Sequence, residues 1–158
     1  MARAISFILR EDKNMINSVQ ETPLVLTSNT SNISFENDVV RTRNANCCGF
    51  LNHSEGSSLY QLTKEGIYEV SVNANITSET AGVVALAIKQ NGEQLQGSEM
   101  DSEVTTAGTY NNVAATRLVR VCCNASVTLT VGSISAVDGV DTQVPTVKNV
   151  SLIIKKVA

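Results

Sequence analysis

The chain has 158 residues, 17% of them charged and 4% aromatic, with no tryptophan and a formal net charge of −3. It has no basic stripe and no cluster of aromatic side chains, which excludes the charged, base-stacking surface that nucleic-acid binding requires. No apolar run approaches the ~20 residues of a membrane-spanning helix, and the length suits one domain with a sizeable core.

The opening MARAISFILRED carries an apolar patch from Ile5 to Leu9, then the charges of Arg10, Glu11 and Asp12. The patch is shorter than the apolar region of a secretory signal, and no small-residue cleavage site follows it. The chain is therefore expected to be made and assembled in the cytoplasm. The first segment, 1–21, differs in character from the rest, 22–158. Two readings of it stand: an extra edge strand with a surface loop, or an arm. The arm would dock through Ile5, Phe7, Ile8 and Leu9 onto a neighbouring subunit or a larger assembly.

Beyond residue 22 the dominant signal is alternation with period two, not the helical period. In GIYEVSVNANI, Tyr68, Val70, Val72, Ala74 and Ile76 point one way, and Glu69, Ser71, Asn73 and Asn75 the other. In GVVALAIKQNGEQL, Val84, Leu86 and Ile88 share a face, and Asn91-Gly92 predicts a tight hairpin because both residues tolerate positive φ. In ASVTLTV, Val127, Leu129 and Val131 alternate with Ser126, Thr128 and Thr130. These segments predict half-buried strands of antiparallel sheets.

The last segment, VKNVSLIIKKVA, is apolar on both faces: Leu152 and Ile154 on one, Ile153 and Val157 on the other. Val83, Ala85 and Ala87 similarly make the second face of their strand apolar. A sandwich offers one buried face per sheet, so a second apolar face predicts a second partner, and another copy of the chain is the natural one. Leu152, Ile153, Ile154, Val157, Val83 and Ala85 are thus the expected interface between copies.

Residues with chemical potential are sparse. The four cysteines form two adjacent pairs, Cys47-Cys48 and Cys122-Cys123. Neighbours on a strand face opposite ways, which argues against a converging four-thiolate zinc site and leaves no C-x-x-C redox motif. They read as small core or interface residues, with a disulfide or a metal site as alternatives. His53, the single histidine, sits in the polar stretch LNHSEGSS without a nucleophile elbow. It reads as a solvated surface residue, the alternative being a ring of three His53 side chains around a metal. Asp101 with Glu103 and Asp138 with Asp141 read as solvated loop residues, an ion site being the alternative. No catalytic constellation and no cofactor motif emerges, so an enzyme is not expected and no cofactor is called for.

Taken together, ISFENDVV, SSLYQLTKEGIYEVSVNANI, ALAIKQNGEQL, LVRVCCNASVTLTV and NVSLIIKKVA resemble, in order and spacing, the tumour-necrosis-factor-like and complement-globular-head jelly roll. LVRVCC…TLTV and NVSLIIKKVA are similar to the small heads of collagen-like spore-surface proteins and of phage structural proteins. The resemblance implies an all-β, two-sheet antiparallel jelly-roll sandwich and a homotrimer with the last strand near the three-fold axis. It departs from the spore-surface pattern in lacking a Gly-X-Y stalk. The expected function is a structural virion protein of a phage, a capsid decoration or head-fibre head held in the particle by the N-terminal arm. Its expected partners are two further copies and other capsid or fibre proteins, with no nucleic acid and no membrane insertion. The alternatives are a receptor- or glycan-binding head that adheres to a host surface through Asp101–Asn112 or Asp138–Pro145, or a spore- or cell-surface protein.

Overall fold

The computed structural model describes residues 15–41 and 51–158. Ile5, Phe7, Ile8, Leu9, Cys47 and Cys48 lie outside the described residues. Within them the chain is all-β, without a helix, and builds two antiparallel sheets packed face to face. The first sheet runs in the order β10 (Asn111–Val121), β6 (Gly66–Ser78), β14 (Pro145–Lys156), β1 (Met15–Gln20) and β3 (Asn37–Arg41). A short β2 (Leu24–Val25) also pairs with β14. The second runs β4 (Leu51–Asn52), β5 (Tyr60–Leu62), β11 (Val127–Ser133), β7 (Gly82–Gln90) and β8 (Glu93–Gln94), with β9 (Met100–Val104) also on β7. A separate hairpin pairs β12 (Ala136–Val137) with β13 (Val140–Asp141).

The alternation read from the sequence forms the core. Tyr68, Val70, Val72, Ala74 and Ile76 of β6 meet Val84, Leu86 and Ile88 of β7 and Val127, Leu129 and Val131 of β11 in one buried cluster. Each large aliphatic side chain sealed there contributes about 1.5–3 kcal/mol relative to exposure. The β7–β8 turn falls at Asn91-Gly92, with φ of 52° and 85°, as the hairpin signal predicts. The Asn91 side chain further accepts the Thr128 N–H at 2.9 Å, pinning the turn to β11. Gly132 serves a close approach: a Cβ there would lie 2.5 Å from the Ser31 carbonyl and 2.4 Å from Asn32 Oδ1.

Three expectations change here. Met15–Gln20, placed by the sequence reading in the arm or at an edge, is an interior strand with β14 on one side and β3 on the other. Its inward residues are Ile16, Ser18 and Gln20. Two of the three are polar, so the apolar alternation that marks the other strands is missing. Ser18 donates to Asp38 Oδ1, and Gln20 bonds Thr22 and the Glu36 N–H, which satisfies both in the interior. Second, Leu152 and Ile154 belong to the sandwich core and are sealed from solvent, so neither can contact another copy. Third, Val83 and Ala85 are not free for another copy either. Ala85, Ala87, Ile134 and Val137 form a second buried cluster with Val83 packed on it. The segment carrying β12 and β13 folds back over this face, held by Ile134 N–H to the Ala85 carbonyl (3.4 Å) and Gln143 N–H to the Val83 carbonyl (2.8 Å).

Candidate functional site

The outer face of the first sheet is a regular surface that carries exposed apolar side chains. Register sets its rows. Leu118 stands opposite Glu69, Glu69 opposite Lys155, and Lys155 opposite Met15. The next row is Thr116, Ser71, Ile153, Asn17 and Val40. Ala114, Asn73, Ser151 and Val19 follow. Leu118 is 61% exposed and Ile153 38%, large values for apolar side chains on a sheet face. Val157, beyond the end of β14, is also exposed.

Charge is scarce on this face. Glu69 and Lys155 face each other at 3.7 Å, Arg120 stands near one end, and Lys148, opposite Asn75, stands near the other. The remaining polar groups bond laterally to one another. Ser71 and Thr116 share a 3.1 Å hydroxyl contact, Ser151 donates to Asn17 Oδ1 at 3.1 Å, and Asn112 Nδ2 reaches Asn73 and Asn75 at 2.8 and 3.0 Å. Polar groups already paired with neighbours lose less on leaving water than unpaired ones. A sheet face with few charges, laterally bonded amides and hydroxyls, and exposed Leu118, Val40 and Ile153 can be covered by a like surface at modest desolvation cost.

The cysteine expectation changes. β10 ends at Val121, and Cys122 and Cys123 are exposed free thiols in the turn toward β11, not packing residues of the core. The turn closes with Ala125 N–H on the Cys122 carbonyl at 3.1 Å, and Asn124 has φ of 59°. A chain reversal at Cys122, where the apolar pattern alone suggested a continuous strand, brings both thiols to the rim. With Arg120, Gly66 and Ala158 they line an open groove of about 410 Å³.

His53 is also placed differently. It is buried rather than solvated, its ring stacked on Tyr60 with centroids 4.0 Å apart and planes 4° from parallel. Nδ1 lies 2.8 and 3.0 Å from the two Asp38 carboxylate oxygens, and Nε2 lies 2.8 Å from the Ser57 carbonyl. Both ring nitrogens are engaged inside one subunit, so a ring of three His53 side chains around a metal is ruled out. Phe35 meets the Tyr60 ring edge-on at 5.9 Å. Burial pushes the Tyr60 phenol well above the usual tyrosine range, with the Ser18 hydroxyl opposing the shift. Nothing in the loop sequence marks this cluster, because its partners come from β1, β3 and β5. Only the pairing of polar residues across the sandwich edge reveals it.

Asp101 and Glu103 are exposed on β9, and Asp138 sits with Gly139 at the tip of the β12–β13 hairpin at φ of 49° and 79°. Among the described residues no group of three or more His, Cys, Asp or Glu side chains is arranged to hold a metal. No helix among them is long and apolar enough to cross a membrane.

No protein-family model matches the chain, and no curated protein matches its sequence. Solved structures do match its shape. The globular domain of zebrafish complement 1qA superposes with a TM-score of 0.60 at 8% identity, covering 90% of this chain and 94% of that one. Murine APRIL at pH 5.0 gives 0.61 at 11% identity, over 92% and 100%. The Eiger TNF of S. frugiperda gives 0.57 at 7% identity, over 92% and 93%. At these identities the likeness defines the fold: the jelly roll shared by complement globular heads and tumour-necrosis-factor-type domains.

Proposed function

We propose that this chain is a non-catalytic, homotrimeric head of a phage virion, a capsid decoration or head-fibre component. Self-association would run through the outer face of the first sheet, and the residues before Met15 would anchor the trimer in the particle. The observation that carries the self-association is the uncovered, charge-poor sheet face with Leu118 and Ile153 exposed on it. A stable trimer interface typically buries more than about 2,000 Å² and is core-like in composition. A five-strand face with Leu118, Val40 and Ile153 exposed on it offers surface of the right kind. The virion placement rests on the resemblance of LVRVCC…TLTV and NVSLIIKKVA to compact phage and spore-surface heads.

An adhesive head is the weaker reading. Sugar-binding surfaces usually present aromatic platforms, but Tyr60 and Tyr68 are sealed in the core, and Lys148 covers the Tyr110 ring at 4.1 Å.

The test of the anchor removes residues 1–14 only, since a cut at residue 21 would also delete β1. The shortened chain is expected to keep its fold and its assembly state and to be missing from purified particles. Normal incorporation of the shortened chain would overturn the anchoring role.

A further inference from the structure

We infer that the groove beside Cys122 and Cys123 is a modification site, where one of the two thiols takes up a small peptide thiol with two carboxylates and one amine as a mixed disulfide. Both cysteines are exposed free thiols in the turn that follows β10. Consecutive Cα atoms lie ~3.8 Å apart, short of the ~4.4–6.8 Å that a relaxed disulfide spans. The pair is therefore poorly placed to close on itself. Among the described residues no other cysteine is present to receive either sulfur. A sulfur partner for this pair comes from another molecule.

The surroundings say which kind. The thiols stand against a groove of about 410 Å³, within the ~300–1,000 Å³ range of small-ligand sites. Ile67 and Val121 give it apolar wall, Arg120 stands at the end of β10, and Glu65 stands just before β6. Lys156 reaches the same place: a Cβ on Gly66, at the groove wall, would lie 3.2 Å from its Nζ. Two cations and one carboxylate thus border the groove. None of the three is ion-paired among the described residues. A ligand with two carboxylates and one ammonium group is the charge complement of that set, and its thiol end would meet the cysteines.

The step is thiol–disulfide exchange, and the ligand arrives as its own symmetrical disulfide. The cysteine sulfur, as thiolate, attacks one sulfur of that disulfide. A protein–ligand S–S bond forms as the ligand–ligand bond breaks. The leaving sulfur departs with the electron pair and takes up the proton that the cysteine gave. The cysteine is oxidised, the released half of the ligand is reduced, and no further oxidant enters. The neighbouring thiol does not readily displace the adduct, because that displacement would close the strained ring between adjacent residues.

Arg120 pairs with Ile67 one step beyond the row of Leu118 and Glu69. The site therefore lies at the end of the first sheet's outer face and does not use Leu118 or Ile153. Its test is independent of the oligomeric state.

The probe is oxidised glutathione, applied to the full chain at about pH 8, where ordinary thiols are partly ionised. Peptide mapping reads Cys122 and Cys123 separately from Cys47 and Cys48. A single glutathione per chain is expected on the Cys122–Cys123 peptide, and none there in the Cys122→Ser, Cys123→Ser double variant. Hydroxyethyl disulfide, which carries no charge, serves as the reference reagent. Relative to it, glutathione is expected to react faster with the folded chain than with a free Val121–Ala125 peptide. Arg120→Gln and Lys156→Gln are each expected to slow the glutathione reaction by roughly three- to fivefold, the worth of one exposed ion pair, and to leave the hydroxyethyl reaction unchanged. Equal slowing with both reagents would place the cations' effect on the thiols and overturn the ligand site. A Cys122–Cys123 disulfide, or a link between two chains, as the main product would overturn it too.

Discussion

The outer faces of the two sheets solve the same problem differently. On the second sheet the apolar face of β7 is closed by the chain itself: Ile134 and Val137 lie over Ala85 and Ala87, and the four form a small core of their own. On the first sheet no segment of the described residues crosses the face, and Leu118 and Ile153 stand exposed among laterally bonded Ser, Thr and Asn side chains. Both faces carry apolar side chains, but only one has been covered by the chain itself. A closed face contributes to the stability of a single subunit. An open one contributes only when another molecule arrives, and its effect depends on concentration.

Substitutions on the two faces should therefore separate. The largest effect is expected at Ala87→Asp. It places a carboxylate in the buried apolar cluster under the β12–β13 segment, a cost of several kcal/mol. Thermal unfolding should show the same large loss of stability at every protein concentration. A loss that vanishes on dilution would mean that this face, too, is an intersubunit contact. The smallest effect is expected at Glu69→Gln, which removes a half-exposed pair whose 3.7 Å separation leaves it worth at most about 1 kcal/mol. Its influence should appear as a slight, salt-sensitive change in association. A large change in the stability of the isolated subunit would contradict the placement of that pair on an open face.

The same contrast explains what the sequence could and could not tell. The main strands were legible because β6, β7 and β11 put Val, Leu and Ile at every second position, and Asn91-Gly92 marks its own hairpin. The closed face was only half legible. The run Val83, Ala85, Ala87 showed that something must cover it, but not that the cover lies about fifty residues further along the same chain, since a period-two pattern carries no long-range address. β1 escaped notice because its inward positions Ser18 and Gln20 are polar and satisfied by partners on β3 and in the following turn. His53 looked like a loop residue because its polar neighbours in sequence conceal a ring that is sealed by tertiary contacts. The reverse error occurred at Cys122 and Cys123, where a small apolar residue type suggested burial but the chain turns outward. Ile153 lies exposed on the outer face of β14. Leu152 and Ile154, on the opposite side of the same strand, belong to the subunit's own core.

In the proposed assembly, copies of the chain meet at the open face of the first sheet. Sedimentation equilibrium of the wild type and of Ile153→Asp at micromolar concentration tests it most directly. The wild type is predicted to run at three times the chain mass of 16.8 kDa, and the variant as a folded single chain. A wild-type protein that is folded and monomeric at that concentration, or an Ile153→Asp trimer indistinguishable from wild type, would contradict it.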